Sequence, residues 1–161
     1  MKIIIGSDQN GFGLKKVLIG HLQSKGIEVT DMGVYTEDPV DYPDIAEQLA
    51  LRISSNEFER GILICGTGVG MAIVANKVPG VRAACAHDIY SAERARKSND
   101  AQVLTLGSLV VGTELAKSLV DAWVVSEFAG VRSDPKVEKI KAIDERYRKQ
   151  EQEYEVPGNR P

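Results

Sequence analysis

Residues 62–70 read Ile62-Leu63-Ile64-Cys65-Gly66-Thr67-Gly68-Val69-Gly70, an apolar run followed directly by three alternating glycines. A continuous apolar run is typical of a strand that is buried on both faces of a parallel sheet. Glycines placed directly after a strand allow a tight turn into a helix. This stretch therefore predicts a strand, a turn and a helix within an α/β fold.

Similar units lie on both sides of this stretch. Further apolar runs predict strands at residues 2–6, 27–32, 81–86 and 102–106, and segments with helical spacing of apolar residues separate them. Five strands alternating with helices indicate a single domain built on a doubly wound, five-stranded parallel sheet.

The end of the chain predicts a last helix and a tail. The helix is expected to begin at Ser133-Asp134-Pro135 and to carry an apolar face of Val137, Ile140, Ile143 and Tyr147. Residues 150–161 are polar and aperiodic, which predicts a mobile C-terminal tail after a domain of residues 1–149.

The composition of the 161 residues excludes several classes of protein. Hydrophobic residues make up 43% and charged residues 27%, as in a globular domain. A net charge of −3 and a pI near 5.5 argue against nucleic acid or an anionic membrane as the main partner. The first residues resemble neither a signal peptide nor a spanning helix, so we expect a cytoplasmic protein.

The two cysteines, Cys65 and Cys85, lack metal-ligand spacing. They therefore predict reduced thiols rather than a disulfide scaffold or a zinc module. Cys85 lies in the middle of a predicted strand and is expected to be a small buried side chain.

Ligands of doubly wound sheets bind beyond the carboxyl ends of the strands. Three segments are expected there, namely residues 6–11, residues 65–70, and Asn99-Asp100 with the loop after Leu106. The backbone N–H groups of the glycine segment are suited to bind an anion, although glycines that only permit the turn are an alternative interpretation. Their spacing matches neither the dinucleotide-binding GxGxxG motif nor a P-loop, which disfavours nucleotide binding.

Several side chains near these segments are candidates for chemistry. Cys65 ends a buried strand at a helix N-terminus, where the thiolate is favoured and can act as base or nucleophile. Asp8 can bind a ligand hydroxyl or cap a turn. His87 can face the site or belong to a capping turn, and Arg132 with Lys136 can bind an anion or be ordinary surface cations.

Characteristic motifs occur in order along the chain: Gly6-Ser7-Asp8, Asp41-Tyr42-Pro43-Asp44, residues 65–71 continuing to 75–84, Tyr90-Ser91-Ala92, and residues 99–104. Together they resemble the ribose-5-phosphate isomerase B family, which includes the galactose-6-phosphate isomerase subunits. The resemblance implies a Rossmann-like sheet, homodimers or homotetramers with shared active sites, and neither a metal nor a nucleotide cofactor. It also implies interconversion of an aldose phosphate and its ketose through a cis-enediolate.

The resemblance further implies roles for individual residues. Cys65 would be the base, Thr67 would help to move protons among the substrate oxygens, and Asp8 would hold sugar hydroxyls. Tyr42 and Asn99 match positions that line the site, Asn99 coming from the other subunit. The N–H groups that would stabilise the developing negative charge belong to the glycine segment: Gly66, Gly68, Val69 and Gly70.

Four positions depart from the family pattern. Gln9 stands where histidine is common, and Ser98 replaces the histidine that is assigned to opening the furanose ring. Leu109 replaces an arginine associated with the phosphate. Of the two cations expected around the last helix, Arg132 is kept and Lys136 retains the charge but loses the bidentate fork of arginine.

These departures leave the substrate open. The family implies ribose 5-phosphate and ribulose 5-phosphate, for which His87 could supply the missing acid. A four-carbon aldose 4-phosphate has no free 4-hydroxyl to close a furanose ring, so an isomerase of tetrulose 4-phosphate could carry Ser98 instead. Branches of the family that isomerise erythrulose 4-phosphate look similar at Ser98-Asn99. A non-catalytic phosphosugar-binding subunit and a nucleotide-binding regulator are the competing classes.

Overall fold

The computed structural model describes the backbone of residues 1–153 and the side chains of residues 1–148. Strands and helices alternate through most of the chain, as the apolar runs predict. In order they are β1 (Lys2–Ser7), α1 (Phe12–Ser24), β2 (Glu28–Asp31), α2 (Tyr42–Ser54), β3 (Arg60–Cys65), α3 (Val69–Ala75), β4 (Ala83–Cys85), α4 (Ile89–Asn99), β5 (Val103–Gly107), α5 (Thr113–Val124) and α6 (Asp134–Glu153). None of these helices is long and apolar enough to cross a membrane.

The five strands form one parallel sheet in the order β2-β1-β3-β5-β4, which confirms the predicted doubly wound fold. Helices α1, α4 and α5 pack on one face of the sheet, and α2 and α3 pack on the other. Ile3, Ile4 and Ile5 alternate between these two cores and are fully buried. Burial on both faces is the reason that this strand is apolar without interruption.

The direction of the strand order changes between β1 and β3, which creates a crevice at their carboxyl ends. Ser7 pairs with Ile64 in this part of the sheet, so Asp8 and Cys65 leave it side by side. The Asp8 N–H donates to the carbonyl of Ile64 at 3.2 Å. The topology therefore brings the first two predicted ligand segments, residues 6–11 and 65–70, to one place.

Strand β4 is shorter than the predicted residues 81–86. Only Ala83, Ala84 and Cys85 pair with β5, because Arg82 directs its backbone N–H to the Gln102 side chain at 2.9 Å instead of into the sheet. The side chain of Arg82 then binds the carboxylate of Asp100 at 2.8 Å.

Helix α6 differs from the prediction in two ways. Val137 is buried, but Ile140, Ile143 and Tyr147 are exposed and the predicted apolar face is not packed within the chain. The helix also continues to Glu153, so residues 150–153, which the aperiodic pattern assigned to the tail, are helical. Glutamine and glutamate are good helix formers and sustain the helix without apolar periodicity. The rest of the predicted tail, residues 154–161, lies outside the described residues.

Candidate active site

A cavity of about 430 Å³ opens at the crevice between β1 and β3. We name it the Cys65 cavity; its lining residues are Asp8, Asn10, Tyr42, Cys65, Gly66, Thr67, Val69, Gly70 and Ile73. Seven of these residues were predicted from the sequence, and Asn10 and Ile73 were not. Asn10 follows Asp8 in the same turn, and the exposed Ile73 lies one turn beyond Val69 on α3.

Cys65 is the last residue of β3, and its side chain is buried next to the glycine segment. The backbone N–H of Gly68 donates to its Sγ at 3.1 Å. Gly68 has a φ of +76°, and a Cβ there would lie 2.8 Å from the carbonyl carbon of Leu106. Only glycine satisfies both conditions, so this position fixes how the loop meets the thiol.

Tyr42 forms one wall of the Cys65 cavity. It is the first residue of α2, and its ring packs against the backbone of Gly70 at the start of α3. A Cβ on Gly70 would lie 2.6 Å from the ring carbons. The two glycines that matter most therefore act differently, since Gly68 permits the turn whereas Gly70 makes room for an aromatic side chain.

Asp8 stabilises a turn, which is one of the two roles that the sequence left open, and its contact with a ligand hydroxyl stays a prediction. Its side chain is buried, and its Oδ1 accepts the N–H of Gly11 at 3.0 Å, which stabilises the turn before α1. Asp8 also lines the Cys65 cavity. The hydroxyl of Ser108 donates to the carbonyls of Asn10 and Cys65, at 2.8 and 3.1 Å, and so joins the loops after β1, β3 and β5.

A second cavity of about 300 Å³ lies between α4 and the start of α6. We name it the Arg132 cavity; its lining residues are Tyr90, Arg94, Ser98, Asn99, Arg132, Ser133 and Lys136. It contains four predicted site residues, Ser98, Asn99, Arg132 and Lys136, and shares no residue with the Cys65 cavity. Among the described residues, three cations line it and no carboxylate does, although the whole chain has a net charge of −3.

Arg94, Tyr90 and Ser133 were missed from the sequence. Tyr90, Arg94 and Ser98 are spaced by four residues and therefore lie along one face of α4, and this spacing from the predicted Ser98 could have identified Tyr90 and Arg94 but not Ser133.

Gln9 and His87 line neither cavity in the described part of the chain. The Oε1 of Gln9 accepts the N–H of Val40 at 3.1 Å and anchors the loop before α2. The Nε2 of His87 accepts the N–H of Gly107 at 3.1 Å, so in the neutral ring the proton lies on Nδ1. The neighbouring Asp88 caps α4 through the N–H of Ser91, at 2.7 Å, as the capping interpretation predicts. The substrate contacts expected of Gln9 and His87 stay predictions.

Cys85 is exposed, and the expectation of a buried side chain is wrong. It lies on β4, which forms an edge of the sheet, so no further strand covers it. Its sulfur lies against the glycine segment, 3.7 Å from the carbonyl oxygen of Thr67. Although the residue is exposed, partial desolvation of its sulfur against this segment raises the pKa of the Cys85 thiol.

Leu109 lies at the rim of the Cys65 cavity. A Cβ built on Gly66 would lie 3.3 Å from the Cδ1 of Leu109. Leu109 is 78% exposed. The rim of the Cys65 cavity therefore presents an apolar side chain to solvent. Among the described side chains, no three His, Cys, Asp or Glu residues are grouped so that they could hold a metal ion.

Comparisons with known proteins agree with these observations. The family model described as Ribose/Galactose Isomerase matches residues 3–140. The chain is 55% identical over 148 residues to the ribose-5-P isomerase B of Listeria innocua, covering 92% of this chain and 100% of that protein. It is 54% identical over 144 residues to the D-erythrulose-4-phosphate isomerase of Pectobacterium atrosepticum, covering 87% and 93%.

The fold agrees as closely as the sequence. The solved structure of ribose-5-phosphate isomerase B from Clostridium thermocellum superimposes with a TM-score of 0.89 at 47% identity, covering 91% of this chain and 99% of that one. The chain therefore belongs to the ribose/galactose isomerase family, as its motifs indicate, and it is an enzyme of the isomerase class.

Proposed function

We propose that this isomerase interconverts the aldose and ketose forms of a short sugar phosphate through a cis-enediolate, with Cys65 as the base. The thiolate of Cys65 would remove the proton from C2 of the aldose and return it to C1, while a proton moves from O2 to O1. The single observation that carries this proposal is the Cys65 sulfur, held at the cavity by the Gly68 N–H at 3.1 Å.

The surrounding groups are suited to the charge that develops on the enediolate oxygens. Gly66, Thr67, Val69 and Gly70 line the cavity at the start of α3, and the first N–H groups of a helix have no partner within that helix. The hydroxyl of Thr67 can pass protons between O1 and O2. The carboxylate of Asp8 can accept hydrogen bonds from the sugar hydroxyls and hold the substrate in the cavity.

The substrate would bind between two subunits. We infer a homodimer, or a homotetramer built from such dimers, in which the Arg132 cavity of one chain faces the Cys65 cavity of its partner. Two observations support this arrangement. Most of the predicted site residues divide between two cavities that share no lining residue. The rim of the Cys65 cavity also exposes Val69, Ile73 and Leu109, and clustered exposed apolar residues mark surfaces that bind a partner.

The family relationship supports ribose 5-phosphate and ribulose 5-phosphate as substrates. The pentose needs its ring opened, and the Nδ1–H of His87 is a candidate acid, since Nε2 is occupied by the Gly107 N–H. Erythrulose 4-phosphate is the second candidate, and a specific observation favours it. Ser98 lines the Arg132 cavity where a ring-opening histidine would stand, and a relative 54% identical is a D-erythrulose-4-phosphate isomerase.

A reducing compartment suits an enzyme that depends on a thiol. Cys65 and Cys85 are both free cysteines. We propose a cytoplasmic location, because cytoplasmic proteins keep their thiols reduced.

Turnover measurements test the proposal. Purified protein is offered ribose 5-phosphate and D-erythrulose 4-phosphate in separate assays, and kcat/KM is compared. A higher kcat/KM for ribose 5-phosphate supports the pentose, and the reverse supports the tetrose. Deuterium incorporation from D₂O at C1 and C2 would show proton transfer. If neither sugar phosphate is converted or exchanges deuterium, the proposal fails for both substrates.

A further inference from the structure

Arg94 lies on α4 one turn before Ser98 and lines the Arg132 cavity together with Arg132 and Lys136. Residues four apart on a helix share a face, so the guanidinium of Arg94 and the side chain of Ser98 face the same space. Serine at position 98 is small, and it leaves this space open to a ligand. The cavity therefore holds a third cation that the comparison of motifs did not identify.

The guanidinium of Arg94 is held in place but keeps unused donors. Its Nη2 donates to Glu93 at 3.0 Å, and its Cζ lies 5.9 Å from the centre of the Tyr90 ring. Its Nε is buried and has no hydrogen-bond partner among the described residues. An oriented guanidinium with free N–H groups is suited to bind a planar or tetrahedral oxyanion in two places at once.

The charge of a phosphate monoester explains why a third cation is needed. Such a group carries a charge of about −1.5 to −2 at neutral pH. Leu109 supplies no charge at the rim of the Cys65 cavity, and Lys136 offers no bidentate fork. We propose that Arg94 binds the phosphate group of the substrate and replaces the cation that is absent at position 109. This inference rests on the proposed function, because it assigns a ligand to the same shared site.

The proposal predicts that Arg94→Gln weakens binding far more than it slows chemistry. We expect KM for the sugar phosphate that is turned over to rise by about 10- to 100-fold, the loss expected for a charged hydrogen bond. Lys97→Gln is the matched control. Lys97 lies on the same helix and binds the same Glu93, at 3.2 Å, but it does not line the cavity. This control should change KM by less than about twofold, as for an exposed ion pair.

Two further measurements separate a binding role from a structural one. Inorganic phosphate, titrated by calorimetry into the intact protein, should bind Arg94→Gln more weakly by the same factor as the change in KM. The double variant Arg94→Gln/Leu109→Arg should recover most of the lost affinity, because it returns a cation to the rim. Thermal unfolding should be similar for Arg94→Gln and Lys97→Gln.

Clear results would overturn the proposal. It fails if Arg94→Gln leaves both KM and phosphate binding unchanged, or if Lys97→Gln shifts them equally. Phosphate calorimetry does not need turnover, so it distinguishes the two levels of inference. If the wild type isomerises no sugar phosphate but Arg94→Gln still weakens phosphate binding, the proposed function fails and the binding role of Arg94 stands.

Discussion

The Cys65 cavity and the Arg132 cavity are built from different parts of the chain. Backbone shapes the first: Cys65 ends a central strand, Gly68 has a positive φ, and Gly70 makes room for Tyr42. Long side chains on α4 and at the start of α6 shape the second. The sheet holds the residues at its strand ends in fixed positions, as proton transfer requires. Long cationic side chains can move and still attract an anion, because charge attraction acts over a distance.

This difference predicts which kinetic constant each cavity controls. Changes in the Cys65 cavity should mainly lower kcat, because they remove or displace the groups that act in the transition state. Changes in the Arg132 cavity should mainly raise KM, because the phosphate does not react.

The largest effect is expected for Cys65→Ala. Loss of the general base should lower kcat by about 10²- to 10⁴-fold, with little change in the thermal unfolding temperature. Initial rates with the sugar phosphate measure this effect. Cys85→Ala is the matched control, since Cys85 is also a free cysteine but lines neither cavity, and it should stay active. Retention of more than about a tenth of the activity by Cys65→Ala would show that another group is the base.

The next largest effect is expected for Gly70→Ala. The new Cβ would lie 2.6 Å from the Tyr42 ring and must displace it, which changes the wall of the Cys65 cavity. We expect kcat/KM to fall by about 10²-fold, the cost of a displacement of about 1 Å in an active site. Gly20→Ala is the control, because Gly20 lies on α1 with no atom near its Cβ position. Equal activities of the two variants would contradict a fixed role for this wall.

Mixed subunits test whether the two cavities act together. At substrate concentrations well below KM, Cys65→Ala and Asn99→Ala should each be nearly inactive alone, but a mixed dimer contains one site with both residues intact. With random exchange of subunits, about half of the dimers are mixed, and each mixed dimer has one intact site of two. The mixture should therefore recover about a quarter of the wild-type activity. Co-expression with two different affinity tags provides the mixed protein. A mixture that remains inactive would place Cys65 and Asn99 in separate functions.

The fold could be predicted almost completely, because short stretches of sequence mark each of its strands and turns. Buried strands such as residues 62–65 are apolar without interruption, and glycines follow them where the chain turns. The predictions were less accurate where strand pairing sets the end of a strand or where packing determines which side chains are buried. Arg82 leaves the sheet because Gln102 accepts its N–H, and Ile143 is apolar without being buried in the chain.

The Cys65 cavity could be predicted better than the Arg132 cavity, because the sheet topology positions its residues. Residues at the ends of β1 and β3 converge whatever their side chains do, so the position of Asp8 beside Cys65 follows from topology. Arg94 belongs to a polar helix surface, and a charged residue there is usually only solvated. Its position next to Arg132 depends on how α6 returns to α4, which no local pattern in the sequence encodes.

The smallest effect that distinguishes the two cavities is their response to salt. Raising sodium chloride to 1 M shortens the Debye length to about 3 Å and screens exposed cations. KM should rise by roughly 3- to 10-fold, because Arg132 and Lys136 are both exposed and salt weakens their attraction for the phosphate. The buried Cys65 is shielded, so kcat should change by less than about twofold.

Lys136→Gln should show a weaker dependence of KM on salt than the wild type, since it carries one cation fewer. A salt effect on kcat with constant KM would instead place the decisive charges at the reacting carbons, and the division between the two cavities would not hold.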